Sequence, residues 1–308
     1  MMITWGLCCL FRREPIKFRR ATAAGLAGYG RREQLHRLAE LVRFNLENLV
    51  LALATCRRLD IGAFRINSEL LPLATHPAVG YQLDELPGAE RIRQRFAEVR
   101  NYAAAHALRL SFHPDQFVVL NSPNCAVVQN SLRELQHQAL LAGLCGAAEI
   151  NLHAGGVYGD KRSALQRWRN AIAGLPSAVV QRLTLENDDR CYTPADLLPV
   201  CRELQIPLVY DVHHHRVNPD HLSIEEATRA AARTWASRHA TPHFHLSSPA
   251  IPWQEPGDHR SHAETIDPAD FPAGWRHLDL TVDVEAKAKE LAIRKLRGEL
   301  AAGTADSR

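Results

Sequence analysis

Eight short runs of strand-forming residues, spaced along the chain with helical stretches between them, constrain this sequence more than any other feature. The runs are ITWGLCC (3–9), GAFRINS (62–68), RLSFHP (109–114), EINLHAG (149–155), RLTLEND (182–188), PLVYDVH (207–213), HFHLSS (243–248) and LTVDVEAK (280–287). Between them, REQLHRLAELVRFNLENLVLALATCRRL and NSLRELQHQALLAGLCGAA carry apolar residues three and four apart, the spacing of an amphipathic helix. Strand alternating with helix eight times predicts an α/β protein with a single (β/α)8 TIM barrel. The 308 residues suit one such barrel with modest insertions, and no linker divides them. The reading is therefore one domain over residues 1–298, with ELAAGTADSR (299–308) as a short flexible tail. PWQEPGDHRSHAETIDPADFPAGW, ahead of the eighth run, reads as loop rather than helix.

Composition narrows the setting. With 46% hydrophobic and 23% charged residues, the chain is of ordinary globular type. A net charge of +3 says little about partners. The seven cysteines include no CxxC pair, and the adjacent Cys8 and Cys9 suit neither a disulfide framework nor a zinc ribbon. A reducing cytoplasm is the expected location. MMITWGLCCLFRREP is too short and charged too early for a signal peptide, and no apolar run is long enough to span a membrane.

In such barrels the chemistry gathers at the C-terminal ends of the strands. Those ends bring His113 on the third, His153 on the fourth and Glu186 on the fifth. The sixth brings Asp211 with His214 just beyond, and the seventh His245, with His262 in the loop that follows; the eighth ends at Glu285. Any one of these is weak evidence, because a lone histidine or acid at a strand end is usually solvated. Together they predict a metal cluster at the rim, since acids crowded into a barrel mouth repel one another unless cations neutralise them. Imidazole and carboxylate donors suit zinc or manganese, and paired ions about 3.5–4 Å apart suit phosphodiester hydrolysis.

The motifs RLSFHPDQF, NLHAGGVYGDK, LTLENDDR, DVHHHRVNP, HFHLSS and VEAKAKE, in this order, resemble the UV damage endonuclease family, and the similarity runs over nearly the whole chain. The resemblance implies a TIM barrel with two to three divalent ions, manganese first, with zinc, magnesium or cobalt as alternatives. It implies metal ligands at His113, His153, Glu186, Asp211, His214, His245, His262 and Glu285, with catalytic weight on Glu186, Asp211 and Glu285. Glu186 and Glu285 would bridge ions, and His214 and His262 would form most of a third site. Strict strand alternation from Asp211 selects His213 for the same face. The family pattern instead pairs Asp211 with His214, so the chain must turn between them, leaving His213 and His215 behind the ligands or in solvent.

The same resemblance implies damaged double-stranded DNA as the partner, with downstream repair enzymes following at the nucleoid, and a monomeric enzyme. Gln116 and Phe117, in HPDQF, would probe the duplex at the lesion; the competing reading of Phe117 is a core residue. Tyr158 and Lys161, with Arg65 and His76 in the loop after the second strand, would contact the DNA backbone. The basic loop FRREPIKFRRATAAGLAGYGRR, with Arg19 and Arg20 at its centre, would neutralise phosphates. Two departures stand out: His243 where relatives carry a lysine, a further candidate for metal or phosphate, and Leu7 where some carry a tyrosine, so that one stacking contact to DNA would be missing. The implied activity is nicking of DNA immediately 5′ of UV photoproducts (cyclobutane dimers, 6-4 products and, as a further substrate, abasic sites), leaving a 3′-hydroxyl and a 5′-phosphate. The alternatives are an AP endonuclease, a xylose isomerase-like isomerase or epimerase, and a catalytically inert damage binder.

Overall fold

The computed structural model describes residues 2–305. Eight parallel strands close into a barrel in chain order: β1 (Ile3–Cys8), β2 (Ala63–Ile66), β3 (Arg109–Phe112), β4 (Glu149–His153), β5 (Leu183–Glu186), β6 (Leu208–Asp211), β7 (His243–Leu246) and β8 (Leu280–Val284). β1 closes the ring by pairing with both β2 and β8. The strands are shorter than the sequence runs because each run also holds the first residues of the loop that follows.

Alternation sorts every strand into two faces. One face carries Leu7, Phe64, Phe112, Leu152, Leu185, Tyr210, Phe244 and Val284, all buried in the layer shared with the surrounding helices. Those helices present matching stripes: in Arg31–Arg58, Leu38, Val42, Leu46, Leu49 and Leu53 are fully buried at spacings of three and four. Leu7 therefore faces the helices rather than the barrel mouth, which corrects the expectation that this position is one where a stacking contact to DNA has been lost. The other face points into the barrel. Interiors of this fold are usually filled by branched apolar side chains. Here the buried residues left for that face include Glu149, Asn151, Thr184, Asp211, His243 and Asp283.

The long connection after β7 holds no longer helix than the 3-10 turns Pro268–Asp270 and Ala273–His277, as its loop-like composition predicts, with one isolated bridge between Pro249 and His262. The expected tail differs. The last helix runs from Glu290 to Ala305, so residues from 299 onward continue it; Leu300, Ala301 and Ala302 favour helix. Residues 306–308 of that tail lie outside the described residues.

Gly6 shows how tightly the polar interior is packed. It pairs in register with Asp283, and a Cβ at Gly6 would lie 1.9 Å from Asp283 Oδ1. Gly6→Ala should destabilise the protein by about 3 kcal/mol, the upper range for overpacking a core site. Gly28→Ala, where a Cβ would meet nothing within 4 Å, is the control. Indistinguishable urea midpoints for the two variants would refute the close approach.

Candidate metal centre

Glu186 lies at the centre of the site, at the end of β5, fully buried. Its Oε2 is 3.0 Å from His113 Nε2 and accepts from Asn151 Nδ2 at 2.5 Å; its Oε1 is 3.1 Å from His245 Nδ1 and 3.4 Å from His214 Nδ1. His153 completes the ring of imidazoles, with its ring centroid 5.0 Å from that of His113 and 5.8 Å from that of His214. The ends of five adjacent strands, β3 to β7, thus converge on one carboxylate.

The chain does turn between Asp211 and His214. β6 ends at Asp211, and a helix, Val212–Val217, begins at once. Asp211 caps that helix, its Oδ1 accepting from the His214 amide at 2.8 Å. This leaves Oδ2 free to face the site. Asn187, just past the end of β5, fixes the junction: its side chain donates to Asp211 O at 2.9 Å and accepts from Asp211 N at 3.0 Å. This latch holds Glu186 and Asp211 side by side.

His213 and His215 are both buried, so neither is a solvated residue. His215 is held between Tyr210 Oη at 2.7 Å and Asp220 Oδ1 at 3.2 Å, away from the ligand cluster. His213 packs against the rings of Trp253 and His262, at 5.5 and 5.2 Å. His262 reaches the rim from the loop after β7, its Nδ1 3.8 Å from Glu285 Oε2.

Beneath the rim runs an ion-pair chain that sequence reasoning missed. Arg109 Nη2 contacts Glu149 Oε1 at 2.5 Å, and Glu149 Oε2 faces His243 Nδ1 at 2.9 Å. His243 Nε2 then faces Asp283 Oδ1 at 3.0 Å, and Asp283 Oδ2 accepts from Arg65 Nε at 3.2 Å. Arg65 Nη2 ends the chain at Glu285 Oε1, 2.5 Å away, and at His245 Nε2, 3.1 Å away. Two expectations change. Arg65 lies in β2, not in the loop after it, and turns inward rather than to a surface. His243 is enclosed between two buried carboxylates, where a phosphate of a bound duplex cannot reach. Asp283 was legible, because alternation from Glu285 places it on the same face two residues deeper.

The charges explain the titration behaviour. Burial raises the Glu186 carboxyl, but the facing His245 and His153, with bonds from His113 and His214, bring it well below the usual range. Burial likewise raises Asp283 and Glu285; His243 and Arg65 bring the first down, Arg65 and His245 the second. Burial pushes His153 down to about 4. Burial also works against the charged forms of His214 and His245, yet Asp211 and Glu186 raise the first well above its ordinary value, and Glu186 raises the second.

The donor set fits divalent cations. His113 Nδ1 lies 3.1 Å from Pro114 O, a partner that can only accept. Protonated, Nε2 donates to Glu186; neutral, it turns a lone pair toward the carboxylate, and a cation between them reconciles two acceptors 3.0 Å apart. His153 Nδ1 and Asp211 Oδ2 are buried with no hydrogen-bond partner among the described residues. The ligand atoms of His113, His153 and Glu186 lie within 4.8 Å of one another, as do those of Glu186, Asp211 and His214. A third such group is His243, His245 and Asp283, beside Arg65.

The expected DNA-facing residues divide. Pro114 and Val118 are buried and anchor the turn between them, while Gln116 and Phe117 project outward, Phe117 76% exposed. That rules out the core reading of Phe117. Tyr158 is 46% exposed in a left-handed conformation (φ 50°), with the Arg167 guanidinium 5.6 Å from its ring. Lys161 opens a helix and pairs with Asp196 at 2.7 Å. His76 accepts from the amides of Ala78 and Val79, bracing its own turn. The basic loop is tied down through its backbone: buried Asn45 accepts from Arg19 N at 2.8 Å and donates to Arg19 O at 3.0 Å. The Arg19 guanidinium lies over Phe44, and Arg20 pairs with Glu69 on the surface.

Similarity to known proteins agrees with this geometry. Residues 5–305 match the family model UV-endonuclease UvdE. A UV DNA damage endonuclease of Bacillus velezensis is 34% identical over 304 residues, covering 96% of this chain and 91% of the relative. One from Bacillus cereus is 32% identical over 281 residues, covering 88% and 86%. The crystal structure of SacUVDE superposes with a TM-score of 0.85 at 26% identity, covering 98% of this chain and 99% of the other. Endonuclease IV from Thermus thermophilus, at 15% identity and TM-score 0.56 over 82% of this chain and 94% of its own, shares the fold alone.

The imidazoles offer a direct test of the charge arrangement. In chelator-stripped protein, the His153 ring nitrogens should titrate near pH 4 by NMR, while His214 and His245 hold their protons above about 6.5, the reference value. The stability contributions run in opposite directions. That of His153 is present above about 6.5 and lost as pH falls toward 4; those of His214 and His245 are present below about 6.5 and lost as pH rises through their raised values. A His153 midpoint near 6.5 would mean a solvated ring.

Proposed function

The chain belongs to the UV-endonuclease UvdE family, and from that premise we propose that it is a metal-dependent DNA repair endonuclease acting on UV-damaged duplex. It nicks the backbone immediately 5′ of cyclobutane dimers and 6-4 products, with abasic sites as a further substrate, and leaves a 3′-hydroxyl and a 5′-phosphate. The observation that carries this reading is the rim itself: Glu186 faces three imidazoles within 3.4 Å, its neighbour Asp211 keeps an oxygen with no hydrogen-bond partner among the described residues, and an exposed Phe117 stands in the turn directly after the candidate ligand His113.

His113, His153, Glu186, Asp211, His214, His245, His262 and Glu285 would hold two to three divalent ions, manganese first. When bound, these ions supply positive charge against the scissile phosphate, the attacking water and the leaving 3′ oxygen. Glu186, whose carboxyl is held well below the usual range, would help to hold the ions and to position the attacking water. Asp211 and Glu285 balance charge on either side of it. Gln116 and Phe117 enter the duplex at the lesion, where stacking is already weak and displacing the bases costs least. Tyr158, Lys161, Arg19 and Arg20 line up against the sugar–phosphate backbone; the exposed ion pairs of Lys161 and Arg20 are weak enough to exchange for phosphate.

The test is an end-labelled duplex bearing one cyclobutane dimer, incubated with protein and manganese beside undamaged and abasic duplexes. A single product ending 5′ of the dimer, extendable by a polymerase, is expected. Cleavage of abasic duplex alone would replace the reading with an AP endonuclease. In the same assay Glu186→Gln should lower incision at least about 100-fold while the protein stays folded, because a bridging charge is removed at constant size. Parent-level incision by that variant would take Glu186 out of the chemistry.

The probe pair separates binding from metal chemistry. Gln116→Ala with Phe117→Ala removes stacking of about 1–3 kcal/mol, so dimer incision should fall strongly. Manganese content should match the parent, and stability should change by no more than about 0.5 kcal/mol, because both side chains are exposed. Full incision by the double variant would remove the wedge.

A further inference from the structure

Sequence reasoning puts Arg65 on the DNA face, yet only 11% of its side chain is exposed and its guanidinium is spent inside the barrel. Nε donates to Asp283 at 3.2 Å, and Nη2 donates to Glu285 at 2.5 Å while lying 3.1 Å from His245 Nε2. One planar cation on β2 thus reaches across β1 to two carboxylates, on β8 and just past its end, and to the His245 imidazole on β7. The fork shape of arginine makes this possible; an ammonium would serve as a single point charge. Behind it, Asp283 is fixed by His243 and has Cys8 Sγ 3.8 Å from its Oδ2, and a side chain at Gly6 would strike Asp283 Oδ1. The guanidinium therefore has little room to swing deeper into the barrel.

Of the eight groups offered to the proposed ions, Glu285 and His245 are the two in contact with an arginine or lysine side chain among the described residues. Among the described residues, Glu186, Asp211, His113, His153, His214 and His262 have no arginine or lysine among their ion pairs. His245 is shared: Nδ1 faces Glu186 at 3.1 Å and Glu285 at 3.5 Å, toward the mouth, whereas Nε2 faces Arg65 and Asp283 below. A divalent ion held by His245 Nδ1 and Glu285 would therefore sit across one imidazole from a fixed positive charge, and the two repel through a poorly screened interior.

We propose, resting on the metal-dependent reading above, that Arg65 is a positioning residue and built-in cation of the centre: it holds Glu285 in its ligand position before metal arrives, and it weakens the affinity of the ion shared by Glu285 and His245. The rim then has one intrinsically loose ion beside tighter ones around Glu186. A loose ion next to a carboxylate already in place can be exchanged without rebuilding the site.

The experiment uses full-length protein stripped with chelator and titrated with manganese alone, free metal being followed by electron paramagnetic resonance. Arg65→Met should bind its weakest manganese about tenfold tighter than the parent, because the repelling charge is gone. Arg65→Lys, which keeps the charge and loses the fork, should stay within about threefold of the parent. If Arg65→Met does not fold, as judged by circular dichroism, Arg65→Gln takes its place. On dimer-containing duplex the neutral variant should lose about tenfold or more in kcat with KM and the salt dependence of binding unchanged. Equal or weaker manganese binding by the neutral variant, or equal tightening in Arg65→Lys, would overturn the charge role. A raised KM with a flatter salt slope would make Arg65 a DNA contact after all. The manganese titration decides the Arg65 inference even where the parent fails to nick dimers, and only that failure to nick would count against the proposed function.

Discussion

A carboxylate with no exposure to water is expensive to keep ionised, and Glu186 is such a group at the centre of the barrel. Removing a charge of this size from water costs several kcal/mol even after relaxation, unless partners return the lost solvation. His113, His245, His214 and Asn151 all face its two oxygens, and each comes from a different strand or the turn just after one. Their convergence requires the strands to be in register at the rim, so the electrostatics of one side chain and the geometry of the barrel constrain each other. The ion-pair chain from Arg109 to Glu285 extends the same requirement through the interior, where an apolar filling would leave these acids unsatisfied.

That dependence explains what could be read from the sequence and what could not. Strand order followed from hydrophobic runs, because one face of each strand packs on helices and must be apolar whatever the other face does. The acids and histidines of the rim followed from their position at the ends of those runs. His214 in place of His213 needed more than alternation, since the decisive event is the helix that starts at Val212 and is capped by Asp211 itself. Capping cannot be seen from a strand period; the run of residues able to form one helical turn, VHHHRV, was the available signal. Asp283 and Glu149 lay on the correct face but deeper in the barrel, where attention to strand ends alone passes over them.

Arg65 shows a different limit. A basic residue near a strand end beside a DNA-binding rim reads most simply as a phosphate contact. Whether it points up or inward depends on the partners other strands deliver, here Asp283 and Glu285 from β8, more than 200 residues away in sequence. Long-range charge pairing of this kind leaves no periodic mark. Phe117 is the opposite case: its neighbours Pro114 and Val118 are buried, and the three residues between Pro114 and Val118 have nowhere to go but outward.

The structure thus keeps two tasks on separate parts of the chain. Charge is balanced inside the barrel by residues that solvent barely reaches, and the proposed contacts with the duplex stand on turns held by a few backbone anchors. Arg19 is fixed through its peptide by Asn45, while its guanidinium only rests on Phe44. The amides of Arg12 and Arg13 are held the same way by the Glu290 carboxylate, at 2.7 and 2.8 Å. In both places the backbone is fixed and the side-chain charge is left outward, an arrangement that lets basic groups adapt to phosphate positions without disturbing the strands. A duplex distorted by a lesion does not present its backbone in one standard shape. Rigid candidate ligands below adaptable proposed contacts would suit such a substrate better than a surface in which the same residues bind both metal and DNA.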